Sequence, residues 1–177
     1  MKNLTLIIPA RKEKESLPQV IDEIKNLDCK KKVILAPDDI DTVNAIKNLN
    51  IDIIYQNHYG YGDALITGIN NLDTDYFCIF NADGSFNPSE LSGMLELIKN
   101  SNLDFVFGSR YQNNSGSDDD TIVTFIGNKI FTLMGKVLFK LPITDILYTF
   151  VVGRADKAKE LNLSEKNFNF CVELPIK

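Results

Sequence analysis

Two hydrophobic periods alternate along the first two-thirds of this chain, and that alternation is its tightest constraint on fold. Residues 4–8 form a short unbroken apolar run ending at Pro9, the pattern of a strand buried on both faces. Ser16, Leu17, Pro18 and Gln19 follow as a capping box, with Ser16 expected to accept from the Gln19 amide and Pro18 seated in the first turn. Leu17, Val20, Ile21, Ile24 and Leu27 then recur at helical spacing. The cycle repeats: a strand over 32–36, a short helix capped by Asp41, a strand over 51–55 and a helix from about Gly62. A strand over 76–80 follows, then the capping signature Asn87-Pro88-Ser89-Glu90 and a helix through Leu91, Leu95 and Ile98, then a strand over 103–108.

Five apolar strands alternating with four amphipathic helices predict an α/β fold: a mainly parallel, Rossmann-like sheet with helices on both faces. At 177 residues the chain fits one domain, 1–177. After Arg110 the pattern changes. Residues 113–120 are rich in Asn, Ser, Gly and Asp and are expected to be a mobile surface loop. A helix-like stretch at 122–141 and a polar helix near 155–161 complete the reading.

In such sheets ligands bind beyond the carboxyl ends of the strands, which is where the unusual residues of this chain fall. The first strand leads into Pro9-Ala10-Arg11-Lys12-Glu13, the second into Pro37-Asp38-Asp39 and the fourth into Asn81-Ala82-Asp83-Gly84. One Asp after a strand is ordinary turn chemistry, but acidic and polar groups at three neighbouring strand ends suit a nucleotide. Asp38 or Asp39 can accept from base or ribose, and Asp83 can hold a divalent cation against a diphosphate. The net charge of −5 offers no basic surface, which argues against a nucleic-acid partner. Cys29, Cys78 and Cys171 show no metal-ligand spacing and follow no secretory signal, so a cytoplasmic location with reduced thiols is expected.

The segments Ile7-Ile8-Pro9-Ala10-Arg11-Lys12-Glu13, Tyr59-Gly60-Tyr61-Gly62-Asp63-Ala64-Leu65, Phe80-Asn81-Ala82-Asp83-Gly84-Ser85, Phe107-Gly108-Ser109-Arg110-Tyr111 and Thr144-Asp145 stand in this order along nearly the whole chain. Together they resemble the family 2 glycosyltransferases, the group that includes dolichol-phosphate mannose synthases. That resemblance implies a GT-A fold, a nucleotide-diphospho-sugar donor, Mg²⁺ or Mn²⁺, and inverting transfer to an acceptor hydroxyl or phosphate on a glycan or lipid-linked acceptor. It implies a donor site of Pro9, Ala10, Arg11, Glu13, Asp38, Asp39, Asn81, Ala82, Asp83 and Arg110, with Asp83 on the metal and Asp145 as general base.

The chain also departs from the family pattern. Asn81 replaces the first Asp of an Asp-x-Asp segment, and Lys12 stands where Asn is usual. Tyr148-Thr149 replaces Ser-Gly between Asp145 and Phe150. Family members commonly continue past Glu173-Leu174-Pro175-Ile176-Lys177, so a carboxyl-terminal segment is expected to be missing. These departures motivate a second reading, a non-catalytic sugar-nucleotide-binding or scaffold domain. A third, sugar-phosphate nucleotidyl transfer, is opposed by the lack of a glycine-rich loop after the first strand.

Three features remain open between a functional and an ordinary reading. Gly60 and Gly62 suit close approach to phosphate or a plain turn. Asp118, Asp119 and Asp120 read as a solvated triplet that argues against a polyprenyl-phosphate acceptor. The 122–141 stretch reads first as a helix packed on the sheet or on a carboxyl-terminal element missing here, and second as an amphipathic helix in peripheral contact with the inner face of a membrane.

Overall fold

The computed structural model describes residues 1–111 and 122–177, the side chains of 122–124 excepted. Its elements run β1 (Leu4–Ala10), α1 (Ser16–Ile24), β2 (Lys30–Leu35), α2 (Ile40–Ile46), β3 (Asp52–Tyr55), α3 (Tyr61–Asn70), β4 (Tyr76–Ile79), a 3₁₀ turn (Pro88–Glu90), α4 (Leu91–Asn100), β5 (Phe105–Phe107), α5 (Ile122–Phe139), β6 (Val151–Arg154), α6 (Ala155–Glu160) and α7 (Phe170–Ile176). The six strands form one sheet in the order β3-β2-β1-β4-β6-β5. The four strands from β3 to β4 pair in parallel, with Ile8 opposite Val33 and Ile7 opposite Ile79 among the register pairs.

One expectation is corrected at the other edge. The fifth predicted strand exists but does not pair with another parallel strand; β6 lies between β4 and β5, antiparallel to both. Val151-Val152-Gly153-Arg154 is too short a run to announce a strand by local pattern alone.

Because strand side chains alternate, the sheet has two apolar faces. Leu4, Leu6, Ile8, Cys78, Phe80 and Val152 meet α1, α2 and α4 on one face, where Leu17, Val20, Ile24, Ile46, Leu91 and Leu95 are buried. Ile7, Ile34, Phe77, Ile79 and Val151 meet α3, α6 and α7 on the other, against Leu65, Ile69, Ala158, Phe170 and Leu174. The four buried side chains of α1 alone contribute about 6–12 kcal/mol of gross burial before the entropy of ordering is subtracted.

The helix starts differ from expectation in detail. Ser16 does not cap α1; its hydroxyl instead donates back to the Glu13 carboxylate, and the Leu17 N–H bonds the Glu13 carbonyl. Asp39, not Asp41, caps α2, accepting from the Thr42 N–H. Asn87 caps as predicted, accepting from the Ser89 N–H, with Pro88 in the first turn of the 3₁₀ segment that leads into α4.

Helix α5 corrects a further expectation. It does not pack its apolar face on the sheet: Phe125, Ile126, Ile130, Phe131, Leu133, Met134, Val137, Leu138 and Phe139 are all exposed. It is tied to the fold by polar groups, Asn128 to Asp145 and the Thr132 hydroxyl to the Ile146 N–H. No helix among the described residues is long and apolar enough to cross a membrane. The Asp118–Asp120 triplet lies outside the described residues.

Candidate active site

The carboxyl ends of β1 and β4 open into a cleft of about 460 Å³. Pro9, Ala10, Arg11, Glu13, Asn81, Ala82 and Asp83 all line it, so seven of the sequence-selected residues are brought together. Gln56, Gly60, Tyr61, Ala64, Leu147, Thr149, Phe168 and Cys171 complete the wall.

The loop after β1 is stitched to α2. Lys12 adopts φ 60, a left-handed conformation that Asn tolerates better than Lys. In that conformation its N–H donates to Asp39 at 2.6 Å, while the next N–H, of Glu13, donates to the buried Thr42 hydroxyl at 3.1 Å. Asp39 therefore spends one carboxylate oxygen on Lys12 and the other on the Thr42 N–H. Burial works to raise its pKa, but these hydrogen bonds outweigh it and hold the carboxyl below its ordinary value. Asp38 is exposed beside it, in a shallow depression shared with Lys12, Lys14 and Asp41. The acidic pair thus divides into an anchor, Asp39, and an accessible carboxylate, Asp38.

Asp83 stands exposed at the mouth of the cleft, and one of its oxygens accepts from the Ser85 N–H at 2.9 Å. Among the described residues there is no group of three or more carboxylate, His or Cys side chains able to hold a metal alone. That donor set suits a divalent ion arriving with a diphosphate, since Mg²⁺-type sites often use one carboxylate plus phosphate oxygens. Asn81 lies deeper in the cleft and accepts from the Tyr61 hydroxyl at 3.0 Å. The same hydroxyl is 2.7 Å from the Thr149 hydroxyl. Burial pushes the Tyr61 phenol well above its ordinary value, so it stays protonated.

Gly60 and Gly62 are explained by a neighbour rather than by a ligand. A Cβ on Gly60 would lie 2.2 Å from the Lys166 carbonyl oxygen, and one on Gly62 would lie 2.0 Å from that of Glu165. The Asp63 N–H donates to Lys166 O at 2.9 Å. The 164–168 segment is held from its far side by Glu173, which accepts from the N–H groups of Ser164 and Glu165 and from the Ser164 hydroxyl. So mounted, Phe168 stacks on Tyr61 with ring centroids 5.3 Å apart, although 74% of it is exposed.

Arg110 and Asp145 do not line the cleft. They form a pair at the β5 end of the rim, joining two motifs distant in sequence. The Asp145 side chain is fully buried and accepts from Arg110 Nε at 2.8 Å, Arg110 Nη2 at 3.0 Å, the Arg110 N–H at 3.2 Å and Asn128 Nδ2 at 2.6 Å. Beside them the Thr144 hydroxyl donates to the Ser109 hydroxyl at 2.8 Å. A carboxylate so enclosed is an anchor for Arg110 as it stands, and it has no face open to an acceptor.

Tyr148, one of the departures, lies under Arg110 at 5.2 Å and meets Phe86 edge to face at 5.1 Å. Burial raises its phenol to about 12, and the nearby carboxylates of Glu90, Asp145 and Asp83 act in the same direction.

Tyr61, Thr149, Phe168 and Asn128 escaped sequence reasoning. Asn128 had the clearest signal, a lone amide within an apolar helix. His58, the single histidine, is engaged through its backbone: its N–H donates to Asp63 and its carbonyl accepts from Gln56 Nε2.

A mainly parallel sheet that opens at its strand ends into a cleft with an acidic rim has the ligand-binding arrangement of doubly wound α/β proteins. The glycosyl transferase family 2 model matches residues 5–161, and the chain belongs to that family. It is 25% identical over 166 residues to a UDP-N-acetylglucosamine–dolichyl-phosphate N-acetylglucosaminyltransferase of Methanococcus voltae, covering 81% of this chain and 66% of that one.

Among solved structures, it superposes on glucosyl-3-phosphoglycerate synthase from Mycobacterium tuberculosis, in complex with Mn²⁺, UDP and glucosyl-3-phosphoglycerate, with a TM-score of 0.75 at 13% identity. That likeness covers 98% of this chain and 63% of the other. Mannosyl-3-phosphoglycerate synthase from Rubrobacter xylanophilus matches with a TM-score of 0.70 at 18% identity, over 89% of this chain and 54% of that one. These likenesses establish the GT-A fold. The chain spans between about half and two thirds of the length of these relatives.

Proposed function

We propose that this chain binds a nucleotide-diphospho-sugar and transfers the sugar, with a divalent ion, to an acceptor. The observation that carries the reading is the convergence of Pro9, Ala10, Arg11, Glu13, Asn81, Ala82 and Asp83 on one cleft in a family 2 fold. Asp38, exposed in the depression it shares with Lys12 and Lys14, is the carboxylate available to base or ribose. Asp83 would hold Mn²⁺ or Mg²⁺ jointly with the diphosphate; such an ion, when bound, offsets the negative charge of the departing nucleotide. Arg110, oriented by Asp145 and Tyr148, adds positive field at the same rim.

The enclosure of Asp145 bears on the acceptor. Attack by a neutral hydroxyl needs a base, whereas a phosphate is already anionic near neutral pH and needs none. A phosphorylated, lipid-linked acceptor reached in an inverting displacement agrees with an Asp145 that holds Arg110 instead of taking a proton, and on this ground we set it above the contrary indication of the Asp118–Asp120 charges. Helix α5 supports the same acceptor class. Lys129 and Lys136 lie among the polar positions beside its exposed apolar face, Lys140 follows just beyond the helix, and no carboxylate occurs from 125 to 141, a composition suited to an anionic lipid surface at the cytoplasmic side. The second reading, a binding domain without turnover, is favoured by the same enclosed Asp145.

Calorimetric titration of UDP and GDP, with and without Mn²⁺, on wild type and Asp83→Ala tests the proposal. Metal-dependent binding that weakens at least about tenfold in Asp83→Ala is the expected result, from loss of a charged ligand to the ion. Absence of binding by wild type under all conditions would remove the donor site. Binding without turnover of the matching nucleotide sugar, offered with a polyprenyl phosphate, would favour the second reading.

A further inference from the structure

Two of the departures from the family pattern, Asn81 and Thr149, meet at one atom, the Tyr61 hydroxyl. It lies 2.7 Å from Thr149 Oγ1 and 3.0 Å from Asn81 Oδ1. A phenol has one proton to give. Donated to the Asn81 carbonyl, that proton leaves the Tyr61 oxygen to accept from Thr149, so the three groups form a directed relay from Thr149 through Tyr61 to Asn81. Phe168, stacked on the Tyr61 ring, and the 165–167 backbone seated on Gly60 and Gly62 keep the phenol in place.

In this arrangement the amide carbonyl faces Tyr61. With Oδ1 engaged, Asn81 Nδ2 has, among the described residues, only the Ser85 hydroxyl at 3.5 Å, the far limit of a hydrogen bond. Asn81 and Asp83 both line the donor cleft, so the N–H₂ group is the part of Asn81 left to meet a ligand there. An aspartate at this position would add a second negative charge beside Asp83, and a cation would be needed to bridge both to a diphosphate. An amide N–H instead donates to a phosphate oxygen directly, and a hydrogen bond to a charged group is the stronger kind.

We propose that Asn81 binds an oxygen of the nucleoside diphosphate through its amide N–H, and that Tyr61 is the positioning residue that sets the amide's orientation. This rests on the donor-site reading above and deepens it. The donor is then held in part without metal, by a neutral group at a place where the family pattern has a carboxylate.

The test is UDP and GDP binding by calorimetry, in EDTA and in Mn²⁺, for wild type, Asn81→Asp, Tyr61→Phe and the double variant, with circular dichroism to confirm folding. Wild type is expected to bind measurably in EDTA. Asn81→Asp should lose about tenfold or more in EDTA, as a charged hydrogen bond becomes a repulsion, and should recover much of that in Mn²⁺. Tyr61→Phe should lose less, roughly three- to tenfold in EDTA, because the amide is then free to turn. Adding Tyr61→Phe to Asn81→Asp should cost nothing further in EDTA, since Tyr61 acts through the amide.

Unchanged EDTA binding in both single variants, with wild type still binding, overturns this inference and leaves the donor site standing. Independent, additive losses overturn the positioning role of Tyr61. Failure of wild type to bind either nucleotide even with Mn²⁺ overturns the donor-site reading and this inference together.

Discussion

Replacing Asp145 by Ala should cost stability, and the size of that cost separates an anchor from a proton acceptor. The carboxylate is fully buried and takes four hydrogen bonds, three from Arg110 and one from Asn128. Removing one member of a buried pair typically costs about 3–5 kcal/mol, chiefly because the partner is left without compensation. The Arg110 side chain keeps 20% of its surface, so its charge can turn to water and the loss should fall near the lower end, about 3 kcal/mol. Asn128 would suffer as well, since its Oδ1 is already buried without a partner among the described residues and Nδ2 would join it. For a chain of this size about 3 kcal/mol lowers Tm by roughly 6–12 °C.

Thermal and urea unfolding at pH 7, followed by far-ultraviolet circular dichroism, measure this directly, with Asp145→Asn expected between the two. A residue kept for proton chemistry behaves in the opposite way, because its removal is often neutral or stabilising. Asp145→Ala unfolding within about 1 kcal/mol of wild type would therefore refute the anchor and return Asp145 to the role of base.

Gly62→Ala forces a Cβ to within 2.0 Å of the Glu165 carbonyl oxygen, so the 164–168 segment must lift. A loss of about 1–3 kcal/mol and faster hydrogen exchange at the Ser164 and Glu165 amides should report it. Lys12→Gly relieves a left-handed residue and should stabilise by up to about 1 kcal/mol in urea unfolding; a destabilisation would mean that the Lys12 side chain matters more than its backbone.

Glu173 supplies a pH prediction. Burial raises its carboxyl, but the N–H groups of Glu165 and Ser164, the Ser164 hydroxyl and Lys177 outweigh that and hold it below the usual glutamate value. Its stabilisation is present above the unfolded value of about 4.3 and is lost as pH falls through the lower folded value. Glu173→Gln should accordingly be less stable than wild type at pH 7, and the gap should close in acid unfolding curves below about pH 4.

The strands and helices of the first hundred residues were legible because each buries a periodic face, and burial is what the period records. The rim followed from the rule that places ligands at strand ends, which is why Pro9, Ala10, Arg11, Glu13 and Asn81 to Asp83 converge. What escaped depends on partners far along the chain. Neither Asp38 nor Asp39 could be preferred from the sequence, because the choice is made by the Lys12 and Thr42 N–H groups. Phe168 reads as a lone aromatic between two asparagines until Gly60 and Gly62 bring its segment onto Tyr61. Helix α7 escaped for a local reason: it is a single short stretch with Pro175 inside it. The exposed face of α5 shows the limit of periodicity, since an apolar stripe looks alike whether protein or lipid covers it.

The position of β6 has a consequence for how the molecule is made. Strand β5 joins the sheet only through β6, and β6 only through β4, so Phe105–Phe107 has no strand to pair with until Val151–Arg154 exists. On the ribosome the β1–β4 half can begin to assemble early, while β5 waits with its edge open through the synthesis of some forty further residues. At ordinary elongation rates that wait lasts a few seconds, during which an unpaired apolar strand is open to wrong partners. The late antiparallel strand therefore makes the second half of folding conditional on synthesis through Arg154, and it makes the stretch between Gly108 and Phe150 the interval in which a nascent chain of this design is most in need of a chaperone.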